Sequence, residues 1–241
     1  MRTAVLVRPA ARGGKFLGPD AADGRGISAW VAISDLSNGR VLAEAEVDTA
    51  GRDAGPADIM APVGRAKPYA TDALTVGATL AVDIDRPTVV RVTVRGPLSH
   101  LDQTREAQAD VLLLPGIDIG TGTDPQGLVV EIPGLCLSDG TLDIADGHVA
   151  CSAMVTMMCG CEIQASPTWF WPSDDFVVQL ATRTRGGATQ SHALGFDTTP
   201  GAKSRFTGRW PDAAPAGDPV VEAWLLASQP TMGNQGRLRL R

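Results

Sequence analysis

Residues 29–47 read Ala29-Trp30-Val31-Ala32-Ile33-Ser34-Asp35-Leu36-Ser37-Asn38-Gly39-Arg40-Val41-Leu42-Ala43-Glu44-Ala45-Glu46-Val47. Two apolar-rich runs flank Ser37-Asn38-Gly39, and asparagine followed by glycine tolerates the positive backbone φ that a tight hairpin turn demands. The stretch therefore predicts a β-hairpin. Similar short runs recur along the chain, each closed by turn residues. Val76 to Ile84 and Thr88 to Val94 are separated by Asp85-Arg86-Pro87, and Val90, Val92 and Val94 alternate with Arg91, Thr93 and Arg95. That period of two is the mark of a half-buried strand. Val111 to Leu114, Leu128 to Ile132, Phe176 to Thr182, Ser191 to Phe196, Arg205 to Thr207 and Val220 to Ala227 extend the series, with Arg185-Gly186-Gly187 as a further hairpin turn. The fold class expected is all-β. The only stretches with helical character, 71–75 and 101–109, are short.

The run from Ala32 to Gly51 also carries a resemblance. The pattern Ala32-Ile33-x-Asp35-x-x-x-Gly39-x-x-Leu42-Ala43, followed by Asp48 and Gly51, resembles the opening of transthyretin-like or carboxypeptidase-regulatory-like β-sandwich modules of bacterial proteins. Beyond Gly51 the chain departs from that pattern, because Arg52-Asp53-Ala54-Gly55-Pro56 opens a loop in place of an aromatic-led strand. Such modules are mostly carriers, spacers and interaction surfaces, so the resemblance implies a binding role without catalysis.

With 241 residues the chain exceeds the usual single domain of about 100 to 150 residues, which implies two domains. Turn signals at Ser138-Asp139-Gly140 and Asp146-Gly147 mark a junction, giving an N-terminal β-sandwich over 1–137 and a C-terminal immunoglobulin-like β-sandwich over 138–241. The first contains a long loop, 51–75, rich in Gly, Pro, Ala and Asp and carrying the only tyrosine, Tyr69. Structureless loops of that length tend to be functional, so the loop is a candidate arm for a protein partner or a second copy of the chain. The first strand, ending at Pro9, suits a first or edge position because proline cannot donate to a ladder. At the other terminus, Arg237-Leu238-Arg239-Leu240-Arg241 alternates as a charged edge strand would.

Charge and composition narrow the function classes. Lysine and arginine total 21 against 27 acidic residues, a formal charge of −6, and no basic stripe exists to follow a phosphate backbone, which argues against nucleic-acid binding. No apolar run approaches the roughly 20 residues of a membrane-spanning helix. The apolar patch Ala4 to Val7 is too short for a signal-peptide core, so the default expectation is a cytoplasmic protein with reduced thiols. Fixed-period repeats, heptads and low-complexity segments are not seen.

One segment is chemically unusual. His148 to Cys161, HVACSAMVTMMCGC, holds three of the four cysteines and three of the six methionines. Read as a continuous strand, it places Val149, Cys151, Ala153, Val155, Met157, Cys159 and Cys161 on one face. That face suits a core, since free cysteine and methionine are commonly buried. It also suits capture of a soft ion by Met157, Cys159 and Cys161, Cu(I) before zinc, because thiolate and thioether select soft metals. Zinc would need four ligands with paired spacings, and Cys151 and His148 could complete such a set only if the strand folded back. Met154, Met158 and Trp169 are candidate outer contacts. A thiol redox role is a third reading, although the usual Cx2C motif at a helix start is replaced here by Cys159-Gly160-Cys161.

Two further features are weighed. Pro167-Thr168-Trp169-Phe170-Trp171-Pro172 confines three large aromatic side chains, as a plug for one end of a sandwich or a lid over the sulfur cluster. Ser99, His100 and Asp102 lie close in sequence, but a catalytic triad needs a defined spatial chain of hydrogen bonds, which proximity does not supply. The functional expectation is a non-catalytic binding protein with a Cu(I) site. The alternatives are an assembly subunit acting through protein contacts and a thiol-dependent redox enzyme.

Overall fold

The computed structural model describes residues 1–18, 28–47, 75–120, 127–145, 147–168, 171–211 and 219–240. Residues 51–74 of the long loop, Trp169 and Phe170 lie outside them. Among the described residues the chain is all-β, with two short 3-10 turns at Leu101–Gln103 and Ser173–Asp175. No helix among them is long and apolar enough to cross a membrane. The chain divides into two compact units, Met1–Pro133 and Gly134–Arg241.

The first unit contains β1 (Arg2–Ala11), β2 (Trp30–Asp35), β3 (Val41–Glu46), β4 (Ala78–Asp83), β5 (Thr88–Gly96), β6 (Arg105–Leu113) and β7 (Leu128–Ile132). They form a three-stranded sheet of order β4-β1-β7 and a four-stranded sheet of order β3-β2-β5-β6. The sheets adjoin at both edges, β3 beside β4 and β6 beside β7. Alternation decides what is buried. Val90, Val92 and Val94 of β5 are fully inaccessible, while Arg91 on the opposite face makes a two-pronged ion pair with Asp110, at 2.9 and 3.0 Å. Burying one such valine contributes about 1.5–3 kcal/mol.

The β2–β3 hairpin forms where the Asn-Gly step predicts it, and its turn is anchored by Asp35. The Asp35 carboxylate accepts the Ser37 backbone N–H at 2.8 Å and the Ser37 hydroxyl at 2.6 Å, and the Asn38 side-chain amide at 3.1 Å. Gly39 takes φ +72° and donates its N–H to the Asp35 carbonyl at 2.8 Å. These hydrogen bonds, that of the Ser37 hydroxyl foremost, hold the Asp35 carboxyl below its ordinary 3.8. The carboxylate organises the turn before the glycine closes it.

Two sequence expectations are corrected in this unit. β1 is the central strand of its sheet, not an edge. It pairs antiparallel with β4 from Arg2 to Val7 and parallel with β7 from Val7 to Ala11. Pro9 is tolerated because β4 has already ended beside it. β4 and β5, although joined by Asp85-Arg86-Pro87, belong to different sheets, so the connection crosses between layers. Residues 101–109, read as helical, are a 3-10 turn followed by β6, where exposed Glu106, Gln108 and Asp110 alternate with half-buried Ala107 and Ala109. Cross-strand pairing with β5 overrides the helix propensity of Glu, Ala and Gln.

The second unit contains β8 (Leu135–Ala145), β9 (His148–Met157), β10 (Val177–Thr184), β11 (Thr189–Phe196), β12 (Arg205–Pro211), β13 (Val220–Gln229) and β14 (Asn234–Leu240). Leu135-Cys136-Leu137, read from sequence as the end of the first domain, opens β8 and pairs with β9. All seven strands form one antiparallel sheet of order β14-β13-β10-β11-β12-β9-β8, and its end strands β8 and β14 lie against each other. The sheet is thus barrel-like and nearly closed. Its closure depends on close approach at glycine. A Cβ added to Gly236 of β14 would lie 2.6 Å from the Leu135 carbonyl oxygen and against the Leu137 side chain. Leu238 and Leu240, the apolar members of the C-terminal alternation, pack with the interior cluster, whereas Arg237 and Arg239 lie over the Trp224 ring at 5.7 and 5.6 Å. Such cation–ring contacts cover an aromatic face that would otherwise meet water.

Candidate functional site

β9 is an interior strand, paired with β8 on one side and β12 on the other. Its odd positions Val149, Cys151, Ala153, Val155 and Met157 are all buried in the core of the unit, as the period-two reading predicts. The strand ends at Met157. The expectation that alternation continues to Cys161 is corrected, because Met158, Cys159 and Gly160 turn the chain back on itself. Gly160, at φ +75°, donates its N–H to the Met157 carbonyl at 2.8 Å, and the Met157 N–H donates to the Cys161 carbonyl at 3.0 Å. Thr156 then bridges Glu162 in antiparallel fashion. Glycine suits the inner corner of this turn because a Cβ there would clash in the left-handed conformation.

The turn brings two of the predicted site residues together. Cys159 and Cys161 meet, with sulfurs 3.1 Å apart, and both are half-buried. Met157 points into the core and is fully inaccessible. Cys151 lies six positions earlier on β9, about 20 Å along the strand from Met157. Exposed His148 stands at the strand's far end, about 30 Å from Met157 by the same rise. Cys151 is only 4% exposed, and burial pushes its thiol up to about 11, which keeps it protonated and inert near neutrality. The fourth cysteine, Cys136, is buried with its sulfur 3.7 Å from that of Met158, so one candidate outer contact instead joins a second, interior sulfur pair. Met154 sits on the opposite face of β9. All four cysteines are free of disulfides. Among the described residues no group of three or more His, Cys, Asp or Glu side chains is placed to hold one metal ion.

Ser204 holds the turn from outside, and sequence reasoning missed it. Its carbonyl accepts the Val155 N–H at 2.8 Å. Its hydroxyl accepts the Ile163 N–H at 2.8 Å and lies 3.4 Å from the Ile163 carbonyl. One fully buried residue thereby ties both flanks of the Cys159–Cys161 turn, and it does so at φ +53°, where a residue other than glycine is strained. Only the Gly201-Ala202-Lys203 turn just before it hints at unusual backbone. Beside the turn, Lys203 pairs with Glu162 at 3.1 Å. Trp171, at φ +46°, packs against the same core cluster as the two cysteines. The lid reading for Trp169 falls outside the described residues.

The His100 imidazole takes Ser99 as its hydrogen-bond partner at 3.0 Å, on an exposed 3-10 corner beside Leu101, which is 71% exposed. That is a surface contact between neighbours, and Asp102, the acid nearest in sequence, is exposed. No family model and no curated protein matches the chain.

Proposed function

We propose that the protein is a non-catalytic binding module whose second unit captures a soft monovalent cation, Cu(I) first, between the Cys159 and Cys161 thiolates. The observation that carries this reading is the pair of reduced sulfurs 3.1 Å apart on a half-buried turn. Two metal–sulfur bonds of about 2.3 Å on sulfurs at that separation would enclose an angle of ~85°, whereas a near-linear two-coordinate Cu(I) needs sulfurs about 4.6 Å apart, so the two side chains must rotate apart by roughly 1.5 Å to seat the ion. Two thiolates satisfy the preference of Cu(I) for soft donors. Zinc, which takes four ligands in structural sites, is the poorer match for a two-sulfur site. Met157, Cys151 and His148 are not ligands in this reading, and the ion would bind with release of the two thiol protons. Anaerobic titration of the reduced chain with Cu(I) against a competing chelator tests it. One equivalent bound by the wild type and none by a folded Cys159→Ser/Cys161→Ser variant supports the reading; equal binding by both removes it.

The finer architecture belongs to the same proposal. Two adjoining sheets with alternating burial favour a transthyretin-like or immunoglobulin-like β-sandwich for the first unit. A second functional reading, an assembly subunit, draws on exposed apolar side chains on the four-stranded sheet. Val41 of β3 is 53% exposed and Leu112 of β6 is 56% exposed, apolar surface that contact with another chain would cover. Concentration-dependent mass in solution, lost on Leu112→Lys, would favour it.

A further inference from the structure

We infer that Cys159 and Cys161 are also a redox-modification site, closing to an intramolecular disulfide by exchange with a low-molecular-weight disulfide. Closure from 3.1 Å to the disulfide bond length of about 2.05 Å needs roughly one ångström of sulfur movement. Alternate Cα atoms can never be more than about 7.3 Å apart, and a turn between them shortens that span into the range a disulfide accepts. The flanks need not move, because Ser204, the Met157 N–H to Cys161 carbonyl bond and the Gly160 N–H to Met157 carbonyl bond fix the backbone on both sides. Gly160 between them leaves the corner without a side chain.

The structure also separates this pair from the other thiols. Cys136 and Cys151 are 3% and 4% exposed, inside the packed core, where a small disulfide cannot align for attack. Cys159 and Cys161 are half-buried and reachable.

The chemistry balances without any group the chain lacks. One cysteine, as thiolate, attacks a sulfur of the small disulfide RSSR, forming a mixed disulfide and expelling RS−. The second thiolate then attacks the protein sulfur of that mixed disulfide, forming the Cys159–Cys161 bond and expelling the second RS−. The two protons given up by the cysteines convert the leaving thiolates to two RSH. The chain loses two electrons and the small disulfide gains them. If the cation reading holds, oxidation removes both ligands at once, and the ion is released.

The test uses the full reduced chain, with a metal chelator present, incubated with excess glutathione disulfide. The expected result is a mass lower by about 2 Da with no retained adduct, and a tryptic map that joins Cys159 to Cys161. Cys159→Ser and Cys161→Ser should each instead keep a single glutathione adduct, because the resolving thiol is gone. A stable mixed disulfide on the wild type, a bond involving Cys136 or Cys151, cross-linked chains, or no change of mass each overturns the inference. Because no metal enters the assay, its failure and the failure of Cu(I) capture are distinguishable.

Discussion

Replacing Gly236 by alanine tests how the second unit closes. In β14, Gly236 pairs with Ala227 while its Cα faces β8, where an added Cβ would sit 2.6 Å from the Leu135 carbonyl oxygen. Carbon and oxygen that are not bonded rarely approach within about 3 Å, so a gap of several tenths of an ångström must open. The obstacle is backbone, hydrogen-bonded into the β8–β9 ladder, and cannot rotate aside as a side chain could. Overpacking of this kind costs about 1–3 kcal/mol. For a unit of this size a loss of 2 kcal/mol lowers the melting temperature by roughly 8–10 °C and the urea midpoint by about 1–2 M. Four of the five tryptophans, all but Trp30, lie in residues 134–241, so tryptophan fluorescence chiefly reports this unit. Gly195 in β11 is the control: a Cβ there meets nothing within 4 Å, and Gly195→Ala should be neutral or stabilise by about 0.4–1 kcal/mol. If Gly236→Ala unfolds at the same urea concentration as Gly195→Ala, β8 and β14 do not close the sheet as described.

Three other outcomes are expected. The Asp35 carboxyl titrates below 3.8 because Ser37 and Asn38 donate to its charged form, so its contribution to the first unit is complete above 3.8 and disappears as pH falls through the lowered value. The Ser37 amide proton shift, followed by NMR, should report that midpoint, and a midpoint at or above 3.8 contradicts the turn geometry. Ser204→Ala leaves the Ile163 N–H without its buried acceptor and should lower stability by about 1–3 kcal/mol, with faster amide exchange at Ile163; unchanged exchange there argues against the clamp. Cys151, with its thiol raised from 9.0 to about 11 by burial, contributes stability that is present below pH 9 and lost as pH rises toward 11. Native alkylation at pH 8 should mark Cys159 and Cys161 and spare Cys151, as mass spectrometry of the digest would show.

The sequence reveals what is local. Asn38-Gly39 between apolar runs specifies the β2–β3 hairpin because the turn conformation is a property of those residues alone, and the buried face of β9 follows from a strict period of two between Val149 and Met157. The end of β9 is not legible in this way. Cys159 and Cys161 continue the apolar alternation, and nothing local forbids a longer strand. The reversal depends on Gly160 adopting a left-handed conformation that Ser204, more than forty positions away, holds in place. Strand order escapes for a related reason. Whether β4 and β5 share a sheet, or β14 meets β8, is decided by which apolar faces can be covered together, a non-local choice that neither propensity nor turn chemistry encodes. The candidate site was legible as a cluster of sulfur-bearing residues. Which of them meet was not, since the turn that brings Cys159 and Cys161 together leaves Cys151 and His148 further back along the strand.

X-ray absorption at the copper edge, on the full chain loaded anaerobically with one equivalent of Cu(I), tests the proposed site most directly. The expected spectrum has an edge characteristic of Cu(I) and a nearest shell of two sulfur atoms, with no nitrogen neighbour, and that shell is lost in the Cys159→Ser/Cys161→Ser variant. A shell containing imidazole nitrogen, or a sulfur shell that survives in the double variant, would contradict it.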